Sequence, residues 1–96
     1  MNKIDKHEEI CERLKKIYVA KNKDYGDSFG EGFKEYGEIM PAIRIEDKLR
    51  RYKQLIKQDA LVKDESIIDT LLDMANYCIM TVIEFENKKS EMQGKE

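Results

Sequence analysis

Tryptophan is absent from this chain, proline occurs once and histidine once, at His7. A single proline and five glycines in 96 residues exclude a collagen-like or Pro-rich chain and argue against a turn-rich all-β sandwich. No uninterrupted apolar run approaches the roughly 18–20 residues of a membrane span. The opening MNKIDKHEEICERLKK is polar and charged, so no secretory signal is expected. Cysteine is scarce too. Cys11 and Cys78 lie far apart with no CxxC spacing, and the lone His7 cannot complete a Cys/His zinc site. Both cysteines fall on apolar helical faces, which predicts buried, reduced thiols and a cytoplasmic protein. An excess of one charge is also missing. Eighteen basic and 20 acidic side chains give −2, which excludes a strongly basic nucleic-acid coat and an acidic tail. There is no Walker-type loop, GxSxG, HExxH or Cys/His nucleophile pair, and the GEG at 30–32 follows no strand.

What is present is 41% apolar and 40% charged residues, a balance that suits one folded domain, residues 1–96, with the ends at 1–2 and 90–96 frayed. Ile4, His7, Cys11, Leu14, Ile17 and Tyr18 recur at spacings of three and four, which predicts a helix over 3–21. Four of the five glycines then fall at 26, 30, 32 and 37, interleaved with Tyr25, Phe29, Phe33 and Tyr36. A loop is expected here, with a short helical turn from 28 to 36 opened by a Ser28-x-x-Glu31 capping box. Pro41 suits a first turn and starts a helix over 41–58, with Ile45, Leu49, Tyr52 and Ile56 as its apolar stripe. After a connection at 59–63, a helix over 64–88 is expected, N-capped by Asp64 or Ser66. Ile67, Ile68, Leu71, Leu72, Met74, Ala75, Cys78, Ile79, Met80, Val82, Ile83 and Phe85 make it apolar on most sides, hence buried on most sides. Two other helices cannot surround it. The expected fold is therefore all-α, three main helices plus a short helical turn, a bundle completed by homo-oligomerisation.

One polar stripe crosses that last helix. Glu65, Asp69, Asp73 and Asn76 stand at i, i+4, i+8 and i+11, inside an arc of about 80°. Like charges so spaced repel, and burial would raise their pKa values, so something must offset the cost. On the preceding helix Arg44, Asp47 and Arg51 share a face at i, i+3 and i+7. In one reading the two stripes form an interhelical ion-pair network. In another they line a cleft, with Arg and Lys for phosphates and carboxylates for Mg²⁺. Asp69 has a simpler reading as an acid in the helix's first turn. The loop offers a second candidate: Tyr25 and Phe29 to stack on a base, Lys21 or Lys23 to meet a phosphate, and Gly26 to permit positive φ. The alternative is that Tyr25 and Phe29 plug the end of the bundle.

Three segments together, KNKDYGDSF at 21–29, RIEDKLRR at 44–51 and DESIIDTLLDMANYCIM at 64–80, resemble the nucleotide modification associated domain family of phages and prophages. The resemblance spans about residues 21–84 and implies a small phage-type helical protein linked with nucleotides. A more distant likeness is to the MazG-like all-α nucleotide pyrophosphohydrolases, which hold Mg²⁺ with EExxE on one helix and ExxD on the next. Glu46 and Asp47 match the first acidic pair, Arg50 stands at the third acidic position, and the last helix spaces its acids by four.

Three functions follow as expectations. The first is binding of a nucleotide or nucleotide-derived molecule, sequestering an immune signal of the host as a sponge or assisting nucleotide modification. Its ligand residues would be Lys23, Asp24, Tyr25, Arg44, Asp47, Lys48, Arg51 and Asn76. The second is Mg²⁺-dependent cleavage of a nucleoside triphosphate, with metal on Glu46, Asp69 and Asp73. The third is an adaptor whose apolar last helix docks another protein. A membrane is not an expected partner. Nucleic acid ranks last, because net charge −2 offers little counterion release.

Overall fold

The structure, a computed structural model, describes residues 2–57 and 63–94. It is all-α: α1 (Lys3–Tyr25), α2 (Ser28–Tyr36), α3 (Ile39–Leu55) and α4 (Lys63–Gly94) follow in order. The expected helical turn is thus a nine-residue helix in its own right.

Each boundary has a local cause. The Asn2 side chain accepts from the Asp5 N–H at 2.8 Å and caps α1. No breaker follows Lys21 until Gly26, so α1 runs one turn beyond the expected end. Gly26 closes it at φ 63, ψ −151, a region open essentially to glycine alone. The cap of α2 is Asp27 rather than Ser28. Its carboxylate accepts from Gly30 N–H at 3.2 Å, so the N-cap lies one residue before the expected one, and Gly30 at the third helical position has no side chain to complete a capping box. Gly37, at φ 77, closes α2. Pro41 lies in the first turn of α3, as its missing N–H allows, and is fully buried.

Asp64 and Ser66 lie inside α4, which starts at Lys63, and the Ser66 carbonyl already accepts from the Thr70 hydroxyl at 2.7 Å. The helix continues to Gly94. Gln58 and most of the expected 59–63 connection lie outside the described residues, as do Met1, Lys95 and Glu96.

The α3–α4 packing is the most extensive of the fold. The core gathers Phe29 and Phe33 of α2 with Met40 of α3, and Tyr77 and Met80 of α4 pack against them. Phe33 meets Phe85 edge-on at 5.5 Å. Leu14 and Leu55 are buried separately. Phe29 therefore does plug the bundle, whereas Tyr25 stays 73% exposed.

Two expectations of burial are corrected. Cys11 and Cys78 are both exposed thiols. Periodicity shows which side of a helix is apolar, not whether anything covers it: α1 buries only Leu14 and leaves Ile4 81% exposed, and among the described residues the face of α4 that carries Cys78 has no helix over it. Ile45 and Tyr52 of the α3 stripe are half-buried while Leu49 and Ile56 are exposed, and Leu55 takes the inward position. By length and composition the segment Glu65–Met92 would also suffice to cross a membrane.

A candidate nucleotide cleft between α1, α3 and α4

Where the C-terminal half of α1 crosses α4, the two helices do not close against each other. A cleft of about 360 Å³ remains, within the usual range for small-molecule sites. Tyr18, Lys21, Asn22 and Tyr25 form one wall from α1. The turn Gly26-Asp27-Ser28 and Phe29 close an end. Arg44 enters from α3, and Asp73, Asn76, Tyr77 and Met80 form the α4 wall.

Four aromatic rings, those of Tyr18, Tyr25, Phe29 and Tyr77, line the interior. Phe29 and Tyr77 stack at 5.9 Å with planes 17° apart, and the Arg44 guanidinium lies 6.0 Å from the Tyr77 ring centroid. Tyr77 thus sits between the core and the cleft, held on one side by Phe29. Tyr18 and Tyr25 bring two more rings, two turns apart on α1.

Asp73 is the electrostatic centre. Lys21 Nζ of α1 donates to one carboxylate oxygen at 3.0 Å, and Lys48 Nζ of α3 to the other at 3.1 Å. Burial pushes the Asp73 carboxyl up. The hydrogen bonds and charges of Lys21 and Lys48 outweigh it and hold the carboxyl below its usual range. The sequence-based expectation of a raised value at this stripe is therefore reversed at Asp73. One turn on, Asn76 is 8% exposed and donates its side-chain N–H to the Leu14 carbonyl at 3.1 Å. Asp73 and Asn76 together tie α1 to α4. The ion-pair reading of the stripe thus holds at Asp73, and the same pair forms the floor of a cleft.

Of the residues expected to bind a ligand, Tyr25, Arg44 and Asn76 line this cleft, and Lys48 reaches its edge through Asp73. Lys23, Asp24, Asp47 and Arg51 are exposed and outside the lining. On α3 the productive spacing is i, i+4, from Arg44 to Lys48, not the i, i+3, i+7 row. Of the expected metal ligands, Glu46 is paired with Arg50 on its own helix. Asp69 is exposed, and Asp73 is held by the two lysines. Among the described residues, no three His, Cys, Asp or Glu side chains gather as a metal site.

Sequence reasoning missed Tyr18, Asn22, Tyr77 and Met80 as cleft residues. Tyr18 and Met80 read as core from their apolar faces. The signal that could have found Tyr77 is its place four residues after Asp73, on the same face.

Chemically the site offers stacking surface, three cations (Lys21, Arg44, Lys48) and two carboxylates already engaged. Asp27 is engaged with the Gly30 N–H and Asp73 with the lysines. A family model described as nucleotide modification associated domain 1 matches residues 21–85. That span contains every cleft residue except Tyr18. No curated protein and no solved structure matches the chain.

Proposed function

The chain belongs to the nucleotide modification associated domain 1 family, and from that premise we propose that its cleft binds a nucleotide or nucleotide-derived small molecule. The observation that carries the reading is the meeting of aromatic rings and cations in one concavity. Tyr18, Tyr25 and Tyr77 surround a space that Arg44 and Lys21 border. A base stacked on such a ring gains about 1–3 kcal/mol. A phosphate on Arg44 gains charge-assisted hydrogen bonds of about 1.5–3 kcal/mol, and Lys21, already paired with Asp73, adds its charge at the border. A divalent cation, Mg²⁺ in particular, enters this reading carried by the ligand's phosphates, with its waters retained, as that ion prefers.

Binding without turnover is the form of this function that the side chains favour. Asp27 and Asp73, the carboxylates of the lining, are committed to an N-cap and to two lysines. A protein of this kind acts by retention: it sequesters a nucleotide signal, in phage-type biology an immune signal of the host, or presents a nucleotide to a modifying enzyme. Pyrophosphohydrolysis of a triphosphate would need those carboxylates free.

The test is a thermal-shift screen of mononucleotides, cyclic dinucleotides and ADP-ribose-type molecules, each with and without Mg²⁺. A ligand at about 100 times its Kd adds about 2.7 kcal/mol, or some 10 °C or more for a domain of this size. Arg44→Ala weakens the hit about tenfold or more while costing unliganded stability no more than about 1 kcal/mol, the scale of the lost contact with the Tyr77 ring. Recovery of the ligand intact supports retention, and recovery as products replaces it with an enzyme. No shift with any ligand overturns the proposal.

A further inference from the structure

The face of α4 opposite the cleft carries a pattern of its own. Ile68, Leu71, Ala75, Cys78, Val82 and Phe85 follow one another at spacings of three, four, three, four and three. That alternation is the a/d seam along which two helices supercoil. Apart from Phe85, whose ring also meets Phe33 of the core, these positions are the free side of the helix among the described residues. Ile68 is 50% exposed and Val82 55%, Leu71, Cys78 and Phe85 are exposed, and Ala75 is half-buried. Exposed Ile79 and Ile83 widen the strip.

We propose that this seam packs against the same seam of a second copy of the chain, making the protein a homodimer through α4. Three observations favour a second copy over another occupant. The spacing is that of a self-pairing helix, and small Ala75 and Cys78 at its middle let two backbones approach closely. The chain also exposes 7796 Å², whereas a compact monomer of its mass exposes about 5,800 Å². The excess of about 2,000 Å² is on the scale of one protomer's share of an obligate dimer interface. Finally, the radius of gyration is 15.8 Å, with extents of 54 × 31 × 24 Å. A compact chain of this length has about 12.5 Å. The chain is longer and less compact than a self-contained monomer of its length.

A lipid bilayer is the competing occupant for so apolar a helix. The other side of α4 argues against it. Asp73 is bound there to Lys21 and Lys48, and α3, packed on that side, carries Arg44, Glu46, Asp47, Arg50, Arg51 and Lys53. Submerging α4 would take this charged layer with it. The seam and the cleft use opposite faces of one helix, so this proposal stands whether or not the cleft binds a nucleotide.

Light scattering after gel filtration tests it. The full chain elutes at twice its 11.4 kDa mass, Leu71→Glu with Val82→Glu elutes as a single chain, and Val19→Glu, exposed on α1, remains a dimer. Where the double variant fails to fold, the cysteines provide a second reading. A flexible bis-maleimide joins two chains through Cys78 in Cys11→Ser. It leaves Cys78→Ser unjoined, although Cys11 is also exposed. A single-chain mass for the wild type, a larger mass that the seam variants do not change, or binding to phosphatidylcholine vesicles by an otherwise monomeric protein overturns the proposal.

Discussion

Asp73→Asn isolates the ion pairs that join three helices. The substitution keeps the side chain's shape and removes its charge. Lys21 and Lys48, at 3.0 and 3.1 Å in the native protein, then face a carboxamide that can accept at only one of its two polar atoms. The Lys21 side chain is 59% exposed, so its pair contributes about 0.2–1 kcal/mol. Lys48 is 27% exposed, which puts its pair at or above the top of that range. The two together predict a loss of about 1–2 kcal/mol at neutral pH, equivalent to about 5–10 °C for a domain of this length. Urea denaturation followed by circular dichroism, at one fixed protein concentration, measures it. The pH dependence has a definite sign. The folded Asp73 carboxyl lies below its ordinary 3.8. Its stabilisation is therefore complete above that value and is lost as pH falls through the folded value. Wild type and variant converge in acid and stay apart at neutral pH. High salt narrows the neutral-pH difference by screening the exposed Lys21 pair first. Identical midpoints at neutral pH, or a gap that survives full protonation, would refute the ion-pair account. The same substitution leaves Lys21 and Lys48 uncompensated beside the cleft, so affinity for an anionic ligand rises while stability falls.

Asn76→Ala removes the hydrogen bond from α4 to the Leu14 carbonyl. It costs about 1–2 kcal/mol, and hydrogen exchange should show the loss of protection concentrated in α1. Gly26→Ala adds a Cβ that meets nothing within 4 Å, yet forces alanine into a conformation reserved for glycine. A cost of about 1–3 kcal/mol is expected from strain alone, and a wild-type urea midpoint would show that the α1–α2 turn relaxes instead.

Much of this fold is written in the spacing of apolar residues. Helices α1, α3 and α4 follow from three-and-four periodicity, and the Asp73–Asn76 stripe stands out on a helix otherwise apolar. Local periodicity has limits that particular residues show. It marks Cys11 and Cys78 as lying on apolar faces but carries no information about whether another helix covers those faces. In DSFGE both Asp27 and Ser28 are good caps, and only the reach of one carboxylate to the Gly30 N–H decides between them. The cleft was legible in part, at Tyr25, Arg44 and Asn76. Its electrostatic centre was not. Lys21 and Lys48 reach Asp73 from 52 and 25 residues away. That convergence depends on how α1 and α3 cross α4, which no single helix's pattern contains. Tyr77 was overlooked for a related reason: one edge of its ring belongs to the core and the other to the cleft.

Titration of the isotopically labelled protein with the nucleotide panel, followed by NMR at the Arg44 side chain and the Tyr18, Tyr25 and Tyr77 rings, tests the central claim most directly. The account predicts saturable shifts at those groups with at least one nucleotide, and the loss of those shifts in Arg44→Ala. Unmoved signals across the panel, or shifts confined to Leu71, Cys78 and Val82 on the far side of α4, would contradict it.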